Sequence, residues 1–392
     1  MDLSKTEIGS LPSTPAWLLT GQNGTESLQF DPAFPLPPLG PHDVLVRIHA
    51  ASLNYRDLAI AQGKFNLPLS PPKTPLSDGA GVVMQTGTLV TRLSPGNEVV
   101  THLTTNSTYD EKATYASIGS GLGQGVHGTL RKYAIFHESV LVKVGRLGLG
   151  YREAATLTCS GLTAWNALFG WDGACLGPDE DEEDESESEA DANGKVNGCG
   201  TKKKGSTREL TGQTVLVQGT GGVSIAALQF ALAANATIIA TTSSESKAEK
   251  LRSLGAHHVI NYKDEPSWGN VAKSLTPDSR GVDVIIDVGG SSTIAESLKA
   301  ARIDGMIALT GLLGGAAQPE DPSIMAGLMY LVRTRGVLLG SRRQFAEMNK
   351  FIQEKRIRPV FDERVFNFSE VKEAFEFLEG QKHFSKVVID VE

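Results

Sequence analysis

The sequence predicts an α/β protein in which a mostly β region is followed by a doubly wound parallel sheet. Residues 1–165 contain strand-like runs, such as DVLVRIHA, GAGVVMQTG and NEVVTHL, which are separated by Pro and Gly. From about residue 211, apolar strands alternate with helical segments, and the run VLVQGTGGVS joins the first of these strands to a glycine-rich turn. Such alternation is typical of βαβ units, whose parallel sheets carry helices on both faces.

The elements can be placed in order along the chain. In the N-terminal region we predict one short helix at NYRDLAIAQ, residues 54–62. After residue 211 we predict strands at TVLVQG, TIIATT, VDVIIDV and GMIALTG, with helices at 224–234, ESKAEKLRSLG and IAESLKAAR. The tail, from about residue 341, returns to a helix at VKEAFEFLEG and a strand at KVVIDV.

Composition restricts the class of protein. The chain has 392 residues, 40% hydrophobic and 21% charged, which is the balance of a globular protein with about two or three domains. No apolar run reaches the roughly 20 residues of a membrane-spanning helix, and the N-terminus lacks a secretory pattern. The three cysteines are too few and too widely spaced for a disulfide framework. We therefore expect a cytoplasmic protein with no membrane partner.

The net charge of −8 comes from one segment. Residues 179–191, DEDEEDESESEAD, hold ten acidic residues, and without them the rest of the chain carries +2. No basic stripe remains that would bind nucleic acid. The segment belongs to an acidic insert at about 176–210 with almost no apolar content, so we expect it to be disordered. A solvated loop is one interpretation, and a regulatory segment is the other.

The glycine-rich turn is typical of a dinucleotide site. Gly219, Gly221 and Ser224 occupy its three small-residue positions. The first allows a sharp turn, the second lets the backbone approach a pyrophosphate, and the third lets helix and strand pack closely. The phosphates would lie over the N-terminus of the next helix, where free N–H groups favour an anion. The alternative is a tight turn without a ligand.

The end of the second strand favours NADPH over NADH. Sites for NADH usually carry an acid there, which binds the ribose, but residues 241–244 are Thr, Thr, Ser and Ser. Hydroxyl groups and the nearby cation of Lys247 suit a 2′-phosphate. As an alternative, Ser246 and Glu249 form a capping-box pattern, so the neighbouring residues can serve the helix alone.

Motifs throughout the chain resemble those of the medium-chain dehydrogenase/reductase superfamily. They are NYRDL, SDGAGVV, CSGLTAWNALF, VLVQGTGGVS, VIIDVGG and GVLLGSR. The resemblance implies a GroES-like substrate domain at residues 1–164, completed by 341–392. It also implies a Rossmann NAD(P)-binding domain at 165–340, which contains the insert, and an active-site cleft between the two domains.

Many members of this superfamily bind a catalytic zinc, which needs three protein ligands and an open position. The resemblance aligns their cysteine ligand with Asn54, and their histidine and the following glutamate with Ser77 and Asp78. Only Cys159, at the third ligand position, keeps a competent ligand type. The cysteine-rich lobe that holds a structural zinc is absent as well. We therefore expect a zinc-independent protein, resembling the quinone oxidoreductases.

The resemblance also assigns cofactor-binding residues. It implies that the glycine turn and the next helix line the dinucleotide through Gly219, Gly221, Gly222 and Val223, with Val223 against the nicotinamide. Thr163 is expected on the opposite part of that ring. The positions that hold a 2′-phosphate in NADPH-dependent relatives correspond here to Ser243, Ser244, Lys247 and Tyr262. Lys386 is expected at the pyrophosphate, with a solvated surface lysine as the alternative.

Two residues are candidates for the catalytic step. Asn54 can donate a hydrogen bond to the substrate oxygen or to the nicotinamide edge, and it can also serve as a helix N-cap. Tyr55 can donate a proton or form a wall of the pocket. Some relatives that reduce enoyl thioesters have a proton-donating tyrosine where this chain has Phe65. The proton can then come from water.

We predict a zinc-independent, NADPH-preferring oxidoreductase that transfers hydride to a quinone, an enone or a reactive aldehyde. The cofactor carries the chemistry, and the protein supplies position and electrostatics. An NAD(P)-dependent alcohol dehydrogenase is one alternative, and a cofactor-binding regulatory or structural protein with little turnover is another. The expected partners are a small-molecule substrate and a second copy of the chain, because relatives are often homodimers joined at the edge of the Rossmann sheet.

Overall fold

The computed structural model describes residues 12–65, 69–105, 108–171, 209–311, 319 and 321–392. The prediction of disorder for the acidic insert falls almost entirely on residues 172–208 and lies outside the described residues. Within the described ranges, no helix has both the length and the apolar character needed to cross a bilayer. The predicted cytoplasmic location stays a prediction.

The N-terminal part is built mainly of antiparallel strands. They are β1 (Ser13–Leu19), β2 (Leu28–Pro35), β3 (Asp43–Leu53), β4 (Asp78–Thr86), β5 (Glu98–Thr101), β6 (Tyr133–His137) and β7 (Leu141–Lys143). Among the described residues of this part, the α-helices are α1 (Tyr55–Ala61), α2 (Tyr115–Gly119), α3 (Tyr151–Ala154) and α4 (Leu162–Phe169). A π-helical turn, Leu157–Gly161, leads into α4. β1 and β2 form a separate two-stranded sheet, which the sequence analysis did not distinguish.

The second part is a six-stranded sheet whose pairs are all parallel. Its strands are β8 (Thr214–Gln218), β9 (Thr237–Thr242), β10 (His258–Asn261), β11 (Val282–Asp287), β12 (Ala301–Leu309) and β13 (Arg333–Gly336). Its helices are α5 (Gly222–Ala233), α6 (Glu245–Ser253), α7 (Trp268–Ser274), α8 (Ile294–Ala300) and α9 (Ala326–Tyr330). The spatial order is β10-β9-β8-β11-β12-β13. This is the 3-2-1-4-5-6 order of dinucleotide-binding sheets, in which ligands bind where the order reverses.

The tail of the chain returns to the N-terminal part. It consists of α10 (Arg342–Lys355), β14 (Val365–Asn367), α11 (Val371–Glu379) and β15 (Val387–Asp390). β15 pairs with β3, so the seven-stranded sheet has the order β14-β15-β3-β4-β5-β7, with β6 also on β3. The fold class is the predicted one. The exact domain limits at 164/165 and 340/341 stay a proposal, and the first of them falls inside α4.

An aromatic cluster joins α4, α5 and α10. Trp165 is almost fully buried, with its ring centroid 5.3 Å from that of Phe351 and 5.9 Å from that of Phe230. The rings are tilted or edge-on, the arrangement that aromatic quadrupoles favour. Burying side chains of this size stabilises the fold by about 1.5–3 kcal/mol each. The cluster fixes α5, and therefore the glycine turn before it, against the tail.

The predicted strands and helices after residue 211 are confirmed, with small shifts at their ends. The largest shift is at β12, which begins at Ala301 rather than at Gly305, and α5 begins at Gly222 rather than at residue 224. Gly221 is its N-cap residue. The helix therefore starts inside the glycine motif, and its first N–H groups belong to the turn itself. These unpaired N–H groups favour an anion at this position.

Candidate active site

The glycine turn lies at the carboxyl end of β8, next to the point where the strand order reverses. Gly219 has φ = +70°, a left-handed conformation that disfavours residues with a side chain. A Cβ atom added at Gly221 would meet no atom within 4 Å. The hydroxyl of Ser224 donates to the carbonyl of Gln218 at 2.6 Å, which holds α5 close to β8. The turn thus has the shape and the packing that a pyrophosphate needs.

The tail of the chain forms one border of this turn. The N–H of Ser385 donates to the carbonyl of Thr220 at 2.7 Å, and Ser385 forms an isolated bridge with Gly221. A Cβ atom at Gly222 would lie 2.5 Å from Cδ of Lys386 and 2.6 Å from Oγ of Ser160. Glycine at position 222 is therefore required by the close approach of Lys386. Val223 is partly buried against the main core.

The residues predicted at the adenosine end lie on neighbouring parallel strands. Ser243 and Ser244 directly follow β9, and both are partly exposed. The N–H of Tyr262 donates to the carbonyl of Thr242, so Tyr262 follows β10 at the same edge. Its side chain is exposed. The two serines and the tyrosine are therefore close in space and accessible.

Lys247 belongs to the same end. It lies on α6, where its Nζ donates to the carbonyl of Gln381 at 2.9 Å. Burial lowers the pKa of this half-buried amine. The alternative interpretation of this region is wrong in its detail, since α6 begins at Glu245 with Ser244, not Ser246, at the N-cap. Ser246 lies in the first turn and its hydroxyl contacts that of Ser244 at 2.8 Å.

The substrate end contains a buried cluster that joins distant parts of the chain. Lys386 is only 3% exposed and Asp78 is fully buried. The ammonium of Lys386 donates to Oδ1 of Asn54 and lies 3.3 Å from Oδ2 of Asp78. The interpretation of Lys386 as a solvated surface lysine is therefore wrong. The assignment of Lys386 to the pyrophosphate stays a prediction, although its ammonium binds these two side chains.

Asp78 is held by further donors. Its Oδ1 accepts a hydrogen bond of 2.7 Å from the hydroxyl of Ser77, and its Oδ2 accepts one of 3.2 Å from the N–H of Cys159. The hydroxyl of Ser52 lies 3.5 Å from Oδ2. A fully buried carboxylate requires such partners, because an unpaired one costs several kcal/mol.

Asn54 is the N-cap residue of α1, and its side chain contacts Lys386. Its N–H donates to Oδ2 of Asp57 at 2.8 Å. Its Oδ1 accepts from Lys386 and, at 3.4 Å, from the hydroxyl of Ser160. Burial raises the pKa of Asp57 to about 6, an effect that the neighbouring Arg56 partly opposes. Asp57 therefore fixes the backbone before α1, while the amide of Asn54 faces the cluster.

These residues do not fit a zinc ion. Among these residues, Cys159 alone carries a side chain of the type that commonly binds zinc as a thiolate, whereas a catalytic zinc takes three protein ligands. The remaining groups are an amide, a hydroxyl and a carboxylate that already faces the ammonium of Lys386. In the described ranges, no group of three or more His, Cys, Asp or Glu side chains is arranged to hold a metal ion. No step of the chemistry is therefore assigned to a metal.

The two other predicted site residues, Thr163 and Tyr55, lie close in sequence to Ser160 and Asn54. Thr163 is buried on α4, two residues beyond the π-helical turn that carries Cys159 and Ser160. Tyr55 is the first residue of α1 and its side chain is 48% exposed. π-Helical turns are frequent at functional sites. Sequence reasoning missed Ser160 and the burial of Lys386; the one signal was a lysine placed directly before the apolar run VVI.

Two family models match separate parts of the chain, and relatives match nearly all of it. Residues 40–146 match the model described as alcohol dehydrogenase GroES-like domain, and residues 222–354 match the model described as zinc-binding dehydrogenase. A zinc-type alcohol dehydrogenase-like protein of Schizosaccharomyces pombe is 37% identical over 356 residues, which cover 90% of this chain and 92% of that protein.

Two further relatives differ in the activity that their names state. An Arabidopsis thaliana protein named NADPH-dependent alkenal/one oxidoreductase, chloroplastic, is 28% identical over 95% of this chain and 78% of its own length. A crystal structure from Sinorhizobium meliloti 1021 that bears an alcohol dehydrogenase name has a TM-score of 0.79. It is 30% identical and covers 97% of this chain and 99% of its own.

Proposed function

Because this chain belongs to the medium-chain dehydrogenase/reductase superfamily and is an NAD(P)H-dependent oxidoreductase, we propose that it is a zinc-independent, NADPH-preferring reductase. Its substrates would be conjugated carbonyl compounds, namely quinones, enones or reactive aldehydes. The observation that supports the proposal is the buried cluster of Asn54, Asp78 and Lys386, in which an ammonium contacts the amide that the resemblance aligns with a zinc ligand.

The chemistry of this cluster favours conjugated substrates. Reduction of a simple ketone benefits from a Lewis acid that polarises the carbonyl oxygen. A quinone or an enone instead delocalises the charge that it gains, so hydrogen bonds from the protein suffice. The amide of Asn54 is such a donor. The similarity to the Arabidopsis thaliana protein, whose name states reduction of alkenals and alkenones, supports the same substrate class.

The residues around the glycine turn fit the cofactor. Gly219 and Gly221 would let the backbone approach the pyrophosphate, and the N–H groups of Gly222 and Val223, in the first turn of α5, would donate to it. Thr163 would contact the nicotinamide from α4. When bound, NADPH supplies a hydride, and the protein orients it and excludes water.

The preference for NADPH rests on the adenosine end. No acidic residue stands at positions 241–244, so no carboxylate directly after β9 would repel a 2′-phosphate. The hydroxyls of Ser243 and Ser244, the phenol of Tyr262 and the ammonium of Lys247 are the donors that we assign to this phosphate. Each charge-assisted hydrogen bond of this kind contributes about 1.5–3 kcal/mol.

The protein groups at the reacting end have separate roles. Asn54 would donate a hydrogen bond to the acceptor oxygen, which gains negative charge during the reduction. Tyr55, half exposed at the start of α1, is either the proton donor or a wall of the pocket, and water is the other proton source. In an enone the hydride adds to the β-carbon and the proton to the α-carbon, which balances the two-electron reduction.

Oxidation of NADPH in the presence of a panel of quinones, enones and aldehydes tests the proposal. We expect turnover with conjugated substrates, and an unchanged rate after treatment with a strong chelator. Parallel assays with NADH measure the cofactor preference. Loss of activity on chelation, restored by zinc, would contradict the metal-free assignment.

The same assay separates the two alternatives. Oxidation of simple alcohols by NADP⁺ or NAD⁺, without reduction of any conjugated substrate, would indicate an alcohol dehydrogenase, the activity named for the Sinorhizobium meliloti structure. Binding of NADPH without turnover on any compound of the panel would indicate a regulatory or structural protein.

A second copy of the chain is the proposed partner at the edge of the parallel sheet. β13 pairs with β12 on one side, and in the described part of the chain no strand pairs with its other side. Nearby apolar side chains are strongly exposed, with Ile324 at 93%, Met329 at 80% and Leu328 at 64%. Exposed apolar groups beside an open edge strand are typical of an interface.

Light scattering coupled to gel filtration tests this interface. We expect a dimer that becomes monomeric when Leu328 and Met329 are both changed to Glu. The control is Leu89→Glu, an exposed leucine of the N-terminal part, which should leave the dimer intact. A wild-type monomer, or equal effects of the interface variant and the control, would contradict the proposed edge-to-edge contact.

A further inference from the structure

We propose that Lys386 is a positioning residue, which turns the amide of Asn54 so that its N–H group faces the acceptor oxygen of the substrate. The inference rests on the proposed function, because it names the residue that prepares Asn54 for that reaction. Lys386 lies directly before β15, 332 residues after Asn54 and 308 after Asp78, and the fold brings the three together.

The orientation of the amide follows from the chemistry of its neighbours. A lysine ammonium has three donors and no acceptor, so the group of Asn54 that faces it must be the carbonyl oxygen Oδ1. The hydroxyl of Ser160 approaches the same oxygen at 3.4 Å. With Oδ1 held by these two groups, the Nδ2 amino group points away from Lys386. The ammonium thereby fixes which end of the amide is presented.

The amino group that is left over has no partner within the described residues. Asn54 is 7% exposed, and its Nδ2 is a buried side-chain nitrogen without a hydrogen-bond acceptor. Leaving a buried donor unpaired costs about 1–3 kcal/mol, and buried polar groups are nearly always paired. An acceptor that arrives with the substrate would satisfy this donor. A carbonyl oxygen is the matching chemical group.

The position of Lys386 is itself fixed by the rest of the cluster. Asp78 accepts from Lys386, Ser77 and Cys159, and it is fully buried, so its carboxylate has little freedom to move. The side-chain methylenes of Lys386 lie against Gly222, where a Cβ atom would meet Cδ at 2.5 Å. The lysine is therefore held by its charge at one end and by close packing along its stem. Such support is what a precisely oriented donor requires.

A set of variants separates this role from direct binding of the cofactor. Lys386→Met removes the charge and keeps the length of the side chain, Lys386→Arg keeps a charged donor, and Asn54→Ala removes the amide. The fourth protein combines Lys386→Met with Asn54→Ala. Each is measured in two ways: by the rate of a single turnover with NADPH and an enone or quinone that the wild-type protein reduces, and by the Kd of 2′-phospho-ADP-ribose. That compound has the pyrophosphate but lacks the nicotinamide.

We expect Lys386→Met and Asn54→Ala to lower the single-turnover rate by a similar factor, about 100-fold, the loss typical of one preorganised donor. The single-turnover rate of the double variant should equal that of the slower single variant within about twofold, because the two residues act as one unit. The Kd of 2′-phospho-ADP-ribose should change by less than about twofold in all of them. Lys386→Arg should recover part of the rate.

Two results would overturn the positioning role in an active enzyme. One is a weakened Kd for 2′-phospho-ADP-ribose in Lys386→Met with an unchanged single-turnover rate, which would make Lys386 a pyrophosphate ligand. The other is a multiplication of the two single effects in the double variant, which would make the residues independent. Absence of turnover in the wild-type protein is a different result, because it overturns the proposed function and, with it, this inference.

A charge-neutral double variant protects the test against loss of the fold. Lys386→Met alone leaves the carboxylate of Asp78 buried without its cation, which is destabilising. The variant Lys386→Met with Asp78→Asn removes both charges. The one amide oxygen can accept from the N–H of Cys159, and the hydroxyl of Ser77, which can also accept, faces the new amino group. We expect this variant to unfold at a temperature near that of the wild-type protein and to show the same loss of single-turnover rate. A folded neutral pair with the full rate would overturn the proposal.

Discussion

The two ends of the cofactor groove differ in how their polar groups are held. At the adenosine end, Ser243, Ser244 and Tyr262 are partly or largely exposed. At the substrate end, Asn54, Asp78 and Lys386 are buried, and the ammonium of Lys386 contacts the side chains of the other two. Exposed donors are adaptable and have water as a partner when no ligand is bound, whereas buried donors hold a fixed direction.

This difference predicts which property each end controls. Substitutions at the adenosine end should change the affinity for NADPH relative to NADH, because those groups would contact a part of the cofactor that does not react. Substitutions at the substrate end should change the rate of hydride transfer at saturating cofactor. A substitution at one end that changes both the cofactor affinity and the rate of hydride transfer would show that the two ends are not independent.

The largest effect is expected at the turn between the two ends. Gly221→Ala adds a methyl group that meets no atom of the protein within 4 Å, at a φ of −77° that alanine adopts freely. The fold should keep its thermal stability. The methyl group would, however, stand where the backbone approaches the pyrophosphate, and displacing the cofactor by about 1 Å can cost about 100-fold in activity. Titration of NADPH and thermal unfolding measure the two effects.

The adjacent glycine is the matched comparison. Gly222→Ala places a methyl group within 2.6 Å of both Lys386 and Ser160. We expect it to lower the free energy of unfolding by about 1–3 kcal/mol, the range for overpacking. If Gly221→Ala were the more destabilising of the two, or if it bound NADPH normally, the turn would not be the pyrophosphate site.

The next largest effect concerns the cation of the adenosine end. Lys247→Ala should weaken NADPH binding by at least about tenfold, the value of one charge-assisted hydrogen bond to the 2′-phosphate. NADH binding should hardly change, since Lys247 otherwise donates only to the carbonyl of Gln381 among its described partners. Lys250→Ala is the control, because Lys250 lies on the same helix and pairs with Glu363. Equal losses of NADPH and NADH affinity would contradict the phosphate assignment.

The sequence predicted the position of the glycine turn better than the composition of the substrate end for a physical reason. The strand, the glycine turn and α5 are consecutive in the chain, so local pattern was sufficient to place Gly219 and Gly221 at the carboxyl edge of the sheet. Lys386 and Asn54 are brought together only by the pairing of β15 with β3. No local pattern encodes the antiparallel register that sets a lysine of the tail beside the first residues of α1.

The same contrast explains the smaller error at α6. Ser246 with Glu249 matches a capping box, but the strand before the helix ends at Thr242 and leaves only Ser243 and Ser244 to turn the chain. The length of the parallel strand therefore fixes Ser244 at the N-cap. The ends of β9 and α6 therefore depend on tertiary packing, whereas the local sequence was sufficient to predict that a strand and a helix form there.

A smaller effect concerns a buried histidine, His102. His102 follows β5, and its Nε2 lies 3.1 Å from the carbonyl of Gly340, a contact between the N-terminal part and the segment after β13. Burial lowers the pKa of His102 to about 4 from 6.5. Because the unfolded chain then takes up the proton first, the stability present above pH 6.5 is lost as the pH falls toward 4.

This pH dependence can be measured with one variant. His102→Gln keeps an N–H donor for Gly340 but cannot titrate. Between pH 7.5 and pH 6, the free energy of unfolding of the wild-type protein should fall by about 1 kcal/mol more than that of the variant. Denaturant unfolding at each pH measures the difference. Above pH 7.5 the two proteins should show parallel curves, which serves as the internal control. Parallel curves over the whole range would mean that His102 is accessible to protons in the folded protein.

The smallest effect is predicted for Cys159, whose side chain is of a type that binds zinc. Burial raises the pKa of the Cys159 thiol to about 12, so the side chain is neutral, and its described contact with Asp78 is made by the backbone N–H, which alanine retains. Cys159→Ala should therefore change kcat/KM by less than about twofold, or 0.4 kcal/mol. Activity and zinc content are measured together. A loss as large as that of Asn54→Ala, with zinc bound in the wild-type protein and absent from the variant, would show that the substrate end works through a metal. The fixed ammonium of Lys386 would then have no role in directing the reaction.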